Sequence, residues 1–102
     1  MSEYEKDQIV EYVDMLYRNQ YPNLPRITYT PFGIIINLNL YPVIVRLEIY
    51  IINDFYTIIY IKFYNSIQEE PLNELYEFDN IDEVYDFIEY VFNTMKPPKI
   101  DY

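Results

Sequence analysis

The sequence predicts an α+β domain, a four-stranded antiparallel meander with an amphipathic helix near each end of the chain. Apolar residues recur every three or four positions near both ends, as on one face of a helix. Between these segments apolar and polar residues alternate, as in strands that bury one face. The 102 residues suit one hydrophobic core, so we expect a single domain, 1–102.

The first helix is predicted from Ser2 to Tyr21. Ser2 and Glu5 have the spacing of a capping box, in which both side chains bond the free amides of the first turn. The apolar stripe of this helix comprises Ile9, Tyr12, Val13, Leu16 and Tyr17. We expect this stripe to pack on the sheet.

The second helix is predicted from Ile81 to Met95. Asn80 and Glu83 supply its start signal, and the proline pair at residues 97–98 stops it. Its apolar stripe comprises Val84, Phe87, Ile88, Val91 and Phe92.

Two strands are predicted after the first helix. Residues 26–30 face inward through Ile27 and Tyr29, and a turn over residues 30–33 holds the only glycine of the chain. The next strand, residues 34–41, has its apolar set on even positions, namely Ile34, Ile36, Leu38 and Leu40. A two-residue connection, Tyr41-Pro42, fits the odd-faced strand that follows, either as a cis peptide in a type VI turn or as a trans peptide in a wider four-residue loop.

A hairpin is predicted at the centre of the chain. Odd positions are apolar in residues 43–51 and again in residues 55–63. Opposite residues of an antiparallel pair share a face, so matching odd positions with odd positions needs a three-residue connection, 52–54. We expect Asn53 or Asp54 to adopt the left-handed conformation there.

This register predicts an aromatic second face of the sheet, with Arg46 opposite Tyr60 and Tyr50 opposite Tyr56. Tyrosine and arginine are enriched at interface hot spots, so the face is a candidate interaction surface. Cover by a helix or tail of the same chain, or an ordinary exposed sheet, are the other interpretations. The candidate protein-binding residues are Arg46, Tyr50, Tyr56, Tyr60 and Tyr64.

The acidic segment from residue 66 to residue 80 is ambiguous. Residues 75–78 fit a short edge strand, which would extend the sheet to five strands. An internal repeat offers another extension: a shift of 75 residues superposes the two helical stripes, and Pro25-Arg26-Ile27-Thr28-Tyr29 is echoed at residues 98–102. If the helix-strand unit is duplicated, as motifs of about 1–41 and 43–102, Ile100 to Tyr102 form an ordered edge strand.

Composition excludes most catalytic chemistry. The chain has no histidine, no cysteine and one glycine, so imidazole or thiolate metal sites, histidine-based triads and glycine-rich phosphate loops cannot be built. Seventeen acidic residues against 7 basic ones give a net charge of −10, which disfavours direct binding of nucleic acid. No apolar run reaches the length of about 20 residues needed for membrane insertion. We therefore expect that this chain is not an enzyme and that it has no catalytic residue, no cofactor and no metal site.

The chain is rich in tyrosine and opens with the sequence MSEYEK, residues 1–6. In composition and sequence it resembles the small proteins of filamentous viruses that infect hyperthermophilic archaea, such as the lipothrixviruses of Acidianus. The resemblance implies an intracellular location in the host cytoplasm, and it carries no catalytic residue.

Two functions remain. The first is a non-enzymatic protein–protein interaction module that binds a partner peptide, or a second copy as a homodimer, through the aromatic sheet face, a groove between the repeated halves or an edge strand. The second is an acidic mimic of nucleic acid that sequesters a basic host DNA-binding protein. It depends on a carboxylate ridge of the second helix, Asp82, Asp86 and Glu89, whose ordinary interpretation is a solvated helix face.

Overall fold

The structure, a computed structural model, describes residues 1–21, 24–40, 43–64 and 70–94. Within these residues, five antiparallel strands follow one another in chain order across one sheet, with one helix before them and one after. The α+β class with N-terminal and C-terminal helices is thereby confirmed, with five strands. The elements are α1 Glu3–Arg18, β1 Arg26–Tyr29, β2 Gly33–Leu40, β3 Val43–Ile52, β4 Phe55–Tyr64, β5 Leu72–Phe78 and α2 Ile81–Thr94.

Both helices begin at the predicted capping residues. The Ser2 Oγ accepts a hydrogen bond from the amide of Glu5 at 3.2 Å. The Asn80 Oδ1 accepts one from the amide of Glu83 at 3.1 Å, and the Glu83 carboxylate reaches back to the amide of Asp79. Each helix therefore starts with amides that its own side chains satisfy.

One hydrophobic core lies between the helices and one face of the sheet. Both apolar helical stripes contribute to it, and the inward residues of β2 and β3 are almost wholly buried beneath them. Its helical members are Ile9, Val13, Tyr17, Val84, Phe87, Ile88, Val91 and Phe92. Because α1 and α2 pack on the same side, neither of them covers the other face of the sheet.

The predicted register of β2 and β3 is confirmed. Ile34 pairs with Ile49, and Leu40 pairs with Val43, which closes a two-residue connection. The alternative peptide conformations predicted for residues 41–42 lie outside the described residues.

The predicted register of β3 and β4 is wrong. Ile52 pairs with Phe55, so the connection has two residues, Asn53 and Asp54, with φ angles of 52° and 66°. Two left-handed residues form the hairpin turn whose twist matches that of the strands, and asparagine and aspartate are the non-glycine residues that best tolerate it. Turn chemistry therefore decides the register against the odd-position pattern of β4.

The shift by one residue exchanges the two faces of β4. Arg46 lies opposite Ile61 and not Tyr60, and Tyr50 lies opposite Thr57 and not Tyr56. A slip of one residue moves every side chain of a strand to the other face. The odd positions of β4 therefore lie on the face away from the helices.

The turn over residues 30–33 is present as predicted, and its glycine is required by the neighbouring strand. The amide of Gly33 donates to the Thr30 Oγ1 at 2.9 Å. Gly33 does not have a positive φ. A Cβ on Gly33 would lie 1.9 Å from the Ile49 carbonyl oxygen and 2.7 Å from Cδ1 of Tyr50, so the close approach of β3 requires glycine.

The fifth strand begins at Leu72, three residues before the predicted edge strand, and pairs with β4 along its length. Ile58 lies opposite Tyr76, and Tyr56 lies opposite Phe78. The alternative edge strand of the duplication hypothesis, residues 100–102, lies outside the described residues.

Candidate protein interface on the outer sheet face

The side of the sheet away from the helices, here called the outer face, carries more apolar side chains than a solvated sheet normally does. None of its described apolar side chains belongs to the core or packs against it. The apolar members are Ile35, Ile44, Ile52, Phe55, Ile59, Ile61, Phe63 and Leu75.

The apolar side chains concentrate on β4 and its neighbour β5. Ile59, Ile61 and Phe63 follow one another along β4, and Leu75 of β5 lies directly opposite Ile59. Leu75 is 60% exposed. Opposite residues of neighbouring strands have Cβ atoms about 5 Å apart, so these side chains form one continuous patch.

A row of polar side chains along β3 crosses the centre of the outer face. The Arg46 Nε lies 3.3 Å from Oε2 of Glu48, and the Tyr50 hydroxyl donates to Oε1 of Glu48 at 2.7 Å. The hydrogen bond to this carboxylate raises the pKa of Tyr50, and burial raises it further. Both oxygens of Glu48 therefore have a donor, one from the Arg46 guanidinium and one from the Tyr50 hydroxyl.

Charge is divided unequally between the two sides of the molecule. The helices α1 and α2 carry nine carboxylates and two basic residues. The strand positions of the outer face carry two of each: Arg46 and Glu48 at the centre, Arg26 on β1 and Glu77 on β5. The outer face is thus neutral in a protein of net charge −10.

The structure separates the five predicted protein-binding residues. Arg46 and Tyr50 lie on the outer face. Tyr56 and Tyr60 lie on the helix side, so the expectation that these residues share the uncovered face is wrong for both. The side chain of Tyr64 lies outside the described part of the molecule.

Tyr60 and Tyr56 are held by the helices. Tyr60 is 5% exposed, and its ring packs edge-on against Phe87 of α2 with centroids 5.7 Å apart. The Tyr56 hydroxyl donates to Oε2 of Glu5 in α1 at 2.5 Å. This bond raises the pKa of Tyr56 to about 12 and lowers the pKa of Glu5.

The residues missed by sequence reasoning are those that exchange faces with the two tyrosines: Ile59, Ile61 and Phe63, together with Leu75 on β5. The signal that could have found them is the Asn53-Asp54 pair, a strong two-residue hairpin turn. Given that turn, the apolar odd positions of β4 have to point away from the helices.

The predicted carboxylate ridge of α2 is present on the helix side. Asp82, Asp86 and Glu89 are all exposed, and the Glu89 Oε2 accepts a hydrogen bond from the Tyr12 hydroxyl of α1 at 3.1 Å. Within residues 1–21, 24–40, 43–64 and 70–94, no three acidic side chains are grouped closely enough to hold a metal ion.

None of the described helices combines the length and apolar character that crossing a bilayer requires.

Comparison with family models, with curated proteins and with solved structures finds no match to this chain.

Proposed function

We propose that this protein is a non-enzymatic protein–protein interaction module that binds an apolar protein surface without net charge through its outer face. The observation that carries the proposal is the continuous patch of Ile59, Ile61, Phe63 and Leu75 on a sheet face that neither helix covers. Monomeric proteins rarely leave an apolar patch of more than a few hundred Å² in water.

The area of the outer face supports the proposal. Each strand residue covers about 3.3 Å by 4.8 Å of a sheet, so five strands of 4 to 10 residues give a face of roughly 600 Å². Specific interfaces bury about 600 to 1,000 Å² on each partner. One face of this sheet is therefore large enough for a specific complex.

The centre of the face has the composition of an interface hot spot. Arg46 lies beside Ile61 of β4, and the Glu48 carboxylate contacts both Arg46 and Tyr50. Side chains fixed before association lose less conformational entropy on binding.

A footprinting experiment tests the proposal even while the partner is unidentified. Leu75 on the outer face and Tyr90 on α2 are 60% and 59% exposed, which makes them a matched pair for carbene labelling. We expect labelling of Leu75 to fall when the dilute protein is concentrated or mixed with an extract of the cells that contain it, while labelling of Tyr90 stays constant.

The variant Ile61→Lys supplies the control, since a lysine in the middle of the patch should repel an apolar partner and return Leu75 to full labelling. If Leu75 and Tyr90 are labelled in the same ratio under every condition, nothing occupies the outer face and the proposal is wrong.

The acidic helix side supports the second candidate function, sequestration of a basic DNA-binding protein. Its nine carboxylates include the exposed ridge of Asp82, Asp86 and Glu89, at a spacing that keeps all three on one side of α2. The triple variant Asp82→Asn, Asp86→Asn, Glu89→Gln should then lose affinity for basic proteins and show a shallower dependence of binding on salt. Equal binding by wild type and variant would contradict this function.

A further inference from the structure

We infer that the partner of the outer face is a second copy of this chain, stacked sheet to sheet so that Arg46 of each copy lies opposite Glu48 of the other. This inference rests on the proposed function and names its partner.

Charge favours a copy over other macromolecules. A basic partner would be drawn to the helix side, which carries the excess of carboxylates, and not to the outer face. The outer face is neutral, so two outer faces can meet without repulsion between them. The helices of both copies then point outward, and their charges are separated by more than the Debye length of about 8 Å at physiological ionic strength.

The side chains of the face are complementary to themselves. Arg46 and Ile61 lie side by side on β3 and β4, and the next outward pair along the same strands is Glu48 and Ile59. Consider a two-fold axis that lies between the two sheets and runs perpendicular to the strands. If the axis passes midway between these two pairs, it brings Arg46 of one copy over Glu48 of the other, and Ile61 over Ile59. Each contact then occurs twice, as in an isologous interface.

The area fits the same arrangement. Two faces of roughly 600 Å² bury about 1,200 Å² in total, the lower limit of a standard specific interface. Stacked sheets lie about 10 Å apart with interdigitated side chains, which suits the isoleucine and phenylalanine side chains of β4.

Sedimentation velocity of three purified proteins tests the inference: wild type, Arg46→Glu and Glu48→Arg. We expect the wild type to form a dimer with a dissociation constant in the micromolar range or tighter. Each variant places two like charges at the facing positions, so each alone should dimerise at least about tenfold more weakly. An equimolar mixture of the two variants restores opposite charges at both contacts and should form a heterodimer.

The exposed ion pair Arg18–Asp14 of α1, with N–O distance 2.9 Å, supplies the matched control. Arg18→Glu and Asp14→Arg alter a similar pair outside the face, so each variant should dimerise as the wild type does. Circular dichroism of each variant checks that it folds.

The outcomes separate this inference from the proposed function. A wild type that stays monomeric up to about 1 mM, with Leu75 still protected in extract, overturns the homodimer and leaves the interaction module standing. A monomer with Leu75 unprotected overturns both. A wild-type dimer that survives Arg46→Glu, Glu48→Arg and Ile61→Lys uses another surface, and it overturns the face-to-face arrangement.

Discussion

Leu47 and Tyr60 lie directly opposite each other on β3 and β4, and both side chains are buried beneath the helices. This pairing fixes which side of β4 enters the core. It places an aromatic ring with a hydroxyl group inside and the neighbouring Ile59 and Ile61 outside. A protein that buries tyrosine and leaves isoleucine uncovered on the same strand has a surface that water does not favour.

Asp54 is expected to limit the stability of the central hairpin. Its φ of 66° costs an aspartate more than a glycine, and Asn-Gly is the preferred pair for this turn. We predict that Asp54→Gly raises the free energy of unfolding by about 0.5 kcal/mol and that Asp54→Ala lowers it by about 1 kcal/mol. Urea unfolding monitored by tyrosine fluorescence measures both. Equal stability of the two variants would mean that the turn does not need a left-handed residue at this position.

Gly33 is expected to tolerate no side chain. In Gly33→Ala the new methyl group meets a backbone oxygen of Ile49, which cannot move without breaking the sheet. We predict a loss of about 3 kcal/mol or more in the free energy of unfolding. Thermal unfolding followed by circular dichroism provides the measurement.

The double variant Gly33→Ala, Tyr50→Ala distinguishes the backbone contact from the ring contact. Removal of the ring relieves only the more distant of the two clashes, so we expect no rescue. Recovery of stability in the double variant would show that the tyrosine ring, and not the strand, makes glycine necessary.

Most of the fold could be predicted from the sequence because its signals are local. The caps at Ser2 and Asn80 act within one helical turn, and the alternation in β2 and β3 has one clearly apolar face. β4 lacks this contrast, since one of its sides has isoleucine and phenylalanine with Thr57, and the other has tyrosine with Ile58 and Lys62. The hydrophobic pattern alone therefore favours the wrong side of β4 for the core. In the structure, the preference of Asn53 and Asp54 for a two-residue turn decides the register.

Of the residues predicted for the candidate interface, the structure places only some on the outer face. Arg46 and Tyr50 were placed correctly because β3 alternates plainly. Tyr56 and Tyr60 were misplaced by the same register shift that hid the apolar patch. An error of one residue in the predicted length of a hairpin loop thus changes which face of the strand is exposed and becomes a candidate interface.

Alkaline pH is expected to destabilise the protein through tyrosines that donate to carboxylates. The hydrogen bonds to Glu5 and Asp7 raise the pKa values of Tyr56 and Tyr29 to about 12, from an ordinary value of 10.0. A raised folded-state pKa contributes stability that is complete below pH 10.0 and is lost as pH rises through about 12. We predict that Tyr56→Phe is less stable than wild type at pH 8 and loses less stability between about pH 10 and pH 12.

The variant Glu5→Gln checks the cause of this pH dependence. Without the carboxylate, the main reason for the raised pKa of Tyr56 disappears, so the alkaline loss should resemble that of Tyr56→Phe. The same variant removes a group whose pKa is lowered on folding and whose contribution is lost as pH falls through that lowered value. It should therefore also flatten the acid limb of the stability profile, as measured by urea unfolding from pH 2 to pH 6. An unchanged profile at both ends would mean that the Tyr56–Glu5 hydrogen bond does not form in solution.

Ile58 and Ile59 are adjacent, identical residues that lie on opposite faces of β4, and they provide the most direct test of the register. Ile58 is fully buried in the core, whereas Ile59 lies half-buried on the outer face. In dilute protein, Ile58→Ala should lower the free energy of unfolding by about 3 kcal/mol, because it leaves a cavity beneath the helices. Ile59→Ala should cost about 1 kcal/mol or less, since water already reaches that side chain.

In concentrated protein the order of the two effects reverses for association: Ile59→Ala should weaken self-association, and Ile58→Ala should leave the affinity of the folded fraction unchanged. Urea unfolding at low concentration and sedimentation velocity at high concentration measure the two effects separately. A larger loss of stability from Ile59→Ala than from Ile58→Ala would restore the odd-position register, and the apolar patch would then belong to the core.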